Sequence, residues 1–81
     1  MRLPRDISGP ALATALGALG YRISRQTGSH ARLTTMEHGE HHVTIPMHAS
    51  LRIGTLSSVL ADVAEHLQIG RSEIAERLFG K

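Results

Sequence analysis

The sequence predicts an α+β domain of two layers, a three-stranded antiparallel sheet with helices on one face in the order α-β-β-β-α, followed by a short C-terminal helix. Three observations predict it. Leucines recur at helical spacing over residues 12–19, a two-residue alternation replaces that period between Tyr21 and Met47, and a helical period returns from Leu56 to Leu67. A chain of 81 residues buries roughly 60% of its unfolded surface, enough for one small core. We therefore expect a single domain over residues 1–81, with its core in about 3–67 and a helical extension over 68–81.

Ser8 stands where a helix N-cap is needed, with Gly9 and Pro10 in the first turn. Leu12, Leu16 and Leu19 then form one apolar stripe, and Gly20 supplies a C-terminal stop. From Tyr21 the period is two: Tyr21, Ile23 and Arg25 alternate with Arg22, Ser24 and Gln26, and Thr27-Gly28 reads as a turn. Ala31, Leu33 and Thr35 alternate with His30, Arg32 and Thr34, which gives a second strand one apolar and one basic face. Residues 36–40 read as a hairpin loop. A third strand follows, with Val43, Ile45 and Met47 opposed to His42, Thr44 and Pro46, the proline marking an edge or a strand end. After an irregular connection, Thr55 is the expected cap of a helix carrying Leu56, Val59, Leu60, Val63, Ala64 and Leu67. Gly70 should end it. Ser72 should cap a last helix with Ile74 and Leu78 on its apolar edge. Short connections favour a meander with both main helices on one face. The opposite face, rich in His, Arg and Thr, is then open to solvent.

Composition narrows the chemistry. The chain has no Cys, which excludes a disulfide framework, a thiolate metal site and a cysteine nucleophile. Only Tyr21 and Phe79 are aromatic, too few for a platform that stacks several bases. The longest uncharged run, residues 7–21, is broken by glycine and proline and falls short of the roughly 20 apolar residues of a membrane span. No apolar secretory segment follows Met1, so the expected location is the cytoplasm. A net charge of +2 permits polyanion binding without demanding it. Six histidines in so short a chain stand out, because imidazole titrates near neutrality and serves as acid or base there.

The run Gly20-Tyr21-Arg22-Ile23-Ser24-Arg25-Gln26-Thr27-Gly28-Ser29-His30, with Val43-Thr44-Ile45-Pro46-Met47-His48 and Gly54-Thr55-Leu56 behind it, closely resembles the HicA family of bacterial toxin ribonucleases. The resemblance covers about residues 3–67, and its most specific piece is the Arg25-Gln26-x-Gly28-Ser29-His30 box. It implies a domain like the double-stranded-RNA-binding fold and a type II toxin that cleaves mRNA as a metal-independent endoribonuclease without a cofactor. It also implies a single catalytic histidine, and a HicB-type antitoxin as inhibitor. In the family the histidine of the Gly-Ser-His box is catalytic, which maps onto His30. The Pro-x-His piece maps onto Pro46 and His48. Operator DNA would be met only through the antitoxin complex.

The residues support the same chemistry on physical grounds. Cleaving RNA without a metal needs a base for the ribose 2′-hydroxyl proton, and neutral imidazole at His30 suits that role. The leaving 5′-oxygen needs an acid, either another group or the same imidazole once protonated. Arg25 and Arg32 flank His30 and suit a phosphate and its added charge. Alternation puts Arg32 on the His30 face and leaves Arg25 open across the turn. Gly28 should take a positive φ. Ser29 could donate to a phosphate or simply continue the strand, and His48 could bind substrate or sit in a surface loop. His38, Glu40, His41 and His42 invite a metal reading, but adjacent strand residues point to opposite faces, so a solvated hairpin tip is the reading we adopt. His66 is read as a capping or surface charge at a helix end. Two alternatives share this fold: a non-catalytic RNA-binding module, and a small interaction protein whose helices dock a partner.

Overall fold

A computed structural model describes residues 3, 4 and 6–80. Helix α1 (Gly9–Gly17) is followed by strands β1 (Arg22–Thr27), β2 (His30–Thr35) and β3 (His41–Pro46), then by α2 (Ile53–Leu67) and α3 (Arg71–Phe79). The Ser8 hydroxyl accepts the Ala11 amide at 3.0 Å, the N-cap bond that the sequence predicts. The regular α-helical bonds end at Gly17, but Gly20 closes the element as expected, with φ of 95° and the amides of Gly20 and Tyr21 returning to the carbonyls of Gly17 and Leu16. Bonds from Ala18 to Ala15 and from Leu19 to Leu16 tighten its last turn, and Gly20 lies in the reversal that returns the chain to the buried Tyr21.

The sheet is an antiparallel meander in the order β1-β2-β3. Element order and topology agree with the double-stranded-RNA-binding fold implied by the resemblance. Leu33 and Ala31 face Val43 and Ile45 across the β2–β3 pair, and these four side chains form the inner face of the sheet. Leu12 and Leu16 of α1 close on it, with Leu56, Leu60 and Val63 of α2. Strand β1 departs from its expected amphipathic character. All six of its residues are exposed, Ile23 by half; the longer helix α2 packs at the β3 side of the sheet and leaves β1 to the short α1.

Three helix boundaries fall elsewhere than the cap signals indicate. Helix α2 starts at Ile53 behind Arg52, whose side chain makes no capping bond, so Thr55 lies inside the first turn. At its other end Gln68, not Gly70, adopts the left-handed conformation, with φ of 59°. The amides of Gln68 and Ile69 then return to the carbonyls of Glu65 and Ala64, the paired bonds of a Schellman motif. Gly70 instead becomes the N-cap of α3, which places Ser72 in its first turn. Ile74 of α3 is fully buried in the common core, so the C-terminal helix contributes to the packing of the rest.

The connection from β3 to α2 is irregular but tied down. Gly9 donates to the His48 carbonyl at 2.9 Å, Met47 to Ser29 at 2.6 Å and Leu51 to Ile7 at 2.9 Å. At Gly9 the backbones meet so closely that a β-carbon would collide with the Pro46 carbonyl oxygen and lie 2.7 Å from the Met47 Cα. Gly9→Ala should therefore destabilise the fold by about 1–3 kcal/mol, as overpacking does. Thermal melts should show a drop of about 4–8 °C per kcal/mol; an unchanged melting temperature would mean that this joint is loose.

Candidate active site

The β1–β2 hairpin sets the site. Thr27 pairs with His30 around a two-residue loop in which Gly28 has φ of 55°, the left-handed position that such turns reserve for glycine. Strand β2 then starts at His30, whose exposed side chain stands on the open face with those of Arg32 and the half-buried Thr34. Arg25 joins them for a reason the alternation hides. A β-bulge between Ile23 and Arg25 shifts the register by one residue, so Ile23 lies opposite Leu33 but Arg25 lies opposite Arg32. The Ser24 hydroxyl lies on the same side, 2.7 Å from the Thr34 hydroxyl.

Arg25 and Arg32 are thus cross-strand partners, and neither guanidinium has an ion-pair partner among the described residues. Like charges directly opposite in a sheet repel. Thr44 completes this row on β3, opposite Arg32, and brings no compensating carboxylate. Arg22, by contrast, turns back to the end of α1, donating to the carbonyls of Gly17 and Tyr21 at 3.1 and 3.0 Å.

His30 and His48 come together. Their ring centroids are 6.3 Å apart with the planes at 67°, and both side chains are exposed. Pro46 pairs with His30 across β2–β3, and the Met47–Ser29 and Gly9–His48 backbone bonds fix the two residues beyond it. The Ser29 hydroxyl lies at the long limit of contact with His30, 3.5 Å from Nδ1. The arrangement brings His30, Ser29, Arg25, Arg32 and His48 to one end of an open, cationic sheet face.

At the other end of that face lies an arrangement that the sequence does not announce. Nδ1 of His42 accepts from the Thr34 hydroxyl at 2.7 Å, and its Nε2 donates to Glu40 at 2.8 Å. His42 is therefore held in a hydrogen-bonded row rather than solvated at a hairpin tip. The i to i+2 spacing of Glu40 and His42 is the one sequence signal that could have suggested it. His41 points to the opposite face, as alternation requires, and among the described residues no group of three or more His, Cys, Asp or Glu side chains converges to hold a metal.

Together these features define a small α+β domain that presents unpaired arginines and two adjacent imidazoles on the uncovered face of its sheet. A family model described as the HicA toxin of bacterial toxin-antitoxin matches residues 10–64, more than half of the chain, and the chain belongs to that family. It is accordingly the toxin of a toxin–antitoxin system, and an antitoxin is its partner. No curated protein and no solved structure gives a significant match. No helix among the described residues is long and apolar enough to cross a membrane.

Two further histidines, His41 and His66, brace the fold, while His38 lies exposed in the β2–β3 turn. His66 does not cap α2. Its Nε2 reaches the carbonyls of Glu37 and Gly39 at 2.8 and 3.1 Å, and its ring stacks on His41 with centroids 4.3 Å apart. His41 accepts the Tyr21 hydroxyl at 2.7 Å and donates to Asp62 at 3.1 Å. Burial, and secondarily the Asp62 carboxylate, push the Tyr21 phenol up from 10.0 to about 12. The folded state holds this proton more tightly than the unfolded chain. Its contribution is complete below the ordinary phenol value and is lost as pH rises through about 10 to about 12. Since Tyr21 is the one tyrosine of the chain, phenolate absorbance titrates it alone. We expect a midpoint well above that of free tyrosine, and a loss of stability on this alkaline limb that Tyr21→Phe abolishes; an ordinary midpoint would contradict the buried bond to His41.

Proposed function

We propose that this toxin is a metal-independent endoribonuclease that cleaves mRNA on the open face of its sheet, with His30 as catalytic base. The observation that carries the reading is the exposed His30 imidazole beside two unpaired guanidinium groups, Arg25 and Arg32. Neutral His30 takes the proton of a ribose 2′-hydroxyl, and the freed oxygen bonds to the adjacent phosphorus. Arg25 and Arg32 hold the non-bridging oxygens, which gain charge as the fifth bond forms. The bond from phosphorus to the 5′-oxygen then breaks, leaving a 2′,3′-cyclic phosphate and a 5′-hydroxyl. Ser29 and His48 line the substrate beside His30. A HicB-type antitoxin is the fitting inhibitor, and an acidic surface on it would suit this face. The protein acts in the cytoplasm, where its mRNA substrate is.

The test is incubation of purified protein with a long unstructured RNA in chelator. Cut ends bearing cyclic phosphate are expected from the wild type and not from His30→Ala. That variant should melt within about ±0.5 kcal/mol of the wild type, as exposed strand positions do; its unfolding would make His30 a structural residue. Arg32→Ala should lower kcat/KM by about 10²-fold, the scale of losing one charge-stabilising donor. Equal cleavage by wild type and Arg32→Ala would remove Arg32 from the phosphate site. RNA that is bound in a salt-dependent way but left intact would identify a non-catalytic RNA-binding module.

A further inference from the structure

Cleavage by a 2′-hydroxyl moves two protons, one off the nucleophile and one onto the departing 5′-oxygen; His30 takes the first, and the second comes either from that same imidazole or from another donor. The groups around it leave few donors for the second. Arg25 and Arg32 are guanidinium groups that do not release protons in proteins. The Ser29 hydroxyl is no acid near neutrality. His42 lies opposite Thr34, four residues along the strand from His30 and so roughly 13 Å away. Both of its ring nitrogens are also engaged.

His48 meets each requirement. Its ring centroid is 6.3 Å from that of His30 with the ring planes steeply inclined, close enough for both ring edges to reach oxygens of one phosphate. Among the described residues its ring nitrogens make no hydrogen bond, whereas those of His41 and His42 are occupied. Its position is fixed through the backbone. The His48 carbonyl accepts from Gly9 at the start of α1, and Met47 donates to the Ser29 carbonyl, one residue before His30.

Resting on the ribonuclease reading above, we propose that His48 is the general acid of the reaction. As the 2′-oxygen gives its proton to His30 and bonds to phosphorus, the phosphorus–oxygen bond to the 5′ side breaks and that oxygen takes the proton of the His48 imidazolium. The cycle ends with His30 protonated and His48 neutral, and exchange with water restores both. No metal, oxidant or further reactant enters the balance.

A substrate that needs no acid separates this role from simple binding. An RNA oligonucleotide with one mapped cleavage site is compared with the same oligonucleotide carrying sulfur in place of the 5′-bridging oxygen there, since a thiolate departs without a proton. Wild type, His30→Ala, His48→Ala and His48→Gln are assayed on both, after thermal melts that verify each variant is folded. His48→Ala and His48→Gln should lose about 10²-fold or more on the oxygen substrate, within the range of general acid catalysis, and only a few-fold on the sulfur substrate. His30→Ala should be inactive on both. Equal losses by the His48 variants on the two substrates, or no loss on either, would overturn the assignment. Failure of the wild type to cut either oligonucleotide and the parent RNA would overturn the ribonuclease reading itself, and the acid role with it.

Discussion

Three backbone hydrogen bonds gather the entry to α1, the turn before β2 and the exit of β3 into one joint: Gly9 to His48, Met47 to Ser29 and Leu51 to Ile7. Each is worth about 1 kcal/mol net, but their effect is geometric rather than additive. The segment from Met47 to Arg52 has no regular structure of its own to fix it. The joint makes it an extension of the sheet, and hence sets where His48 stands relative to His30. Gly9 permits this because it has no β-carbon to hold the helix and the Pro46–Met47 backbone apart. A candidate site assembled from a strand and a loop is thereby tied to the sheet through the backbone, as placement of reacting groups demands.

The open face carries an unfavourable arrangement that the fold tolerates. One extra residue at Ser24 brings Arg25 opposite Arg32, so two positive charges share a row with no carboxylate between them. The Glu40 carboxylate is bound to His42 at the other end of the face. Natural sequences keep such local conflicts chiefly where function requires them, and a polyanion laid across the row would relieve this one. Among the described residues the Arg25–Arg32 end of the face is therefore without a compensating charge, and the His42 end is satisfied by its own hydrogen bonds.

What could be read from the sequence follows the range of the forces involved. The period of Leu56 to Leu67 and the alternation of Ala31 and Leu33 are repeated many times, and α2 and β2 lie where those patterns put them. The hairpin turn at Gly28 and the cap at Ser8 depend on one or two neighbours and were equally legible. The ends of α2 and the start of α3 were not, because the signals at Thr55, Gly70 and Ser72 lie two or three residues from the positions that cap the helices, Arg52, Gln68 and Gly70. Ile53 to Leu67 is long enough for burial of its apolar stripe to decide where the helix stops. The bulge left no mark, since neither Ser24 nor Arg25 is a residue that announces one, yet it decides the face of Arg25. The approach of His48 to His30 and the stack of His66 on His41 join residues distant in the chain. Only tertiary structure reveals them.

Strand β1 pairs on one side only, with β2, so its other edge offers unsatisfied backbone groups to any extended chain that meets it. Such an edge is the usual starting point for aggregation and fibril growth. Here the bulge breaks its regular spacing and adds twist, while Arg22 and Arg25 place charge along its six exposed residues. An incoming strand would have to match an interrupted ladder and desolvate those charges. The bulge that turns Arg25 toward Arg32 therefore also makes this margin of the sheet a poor template for another strand.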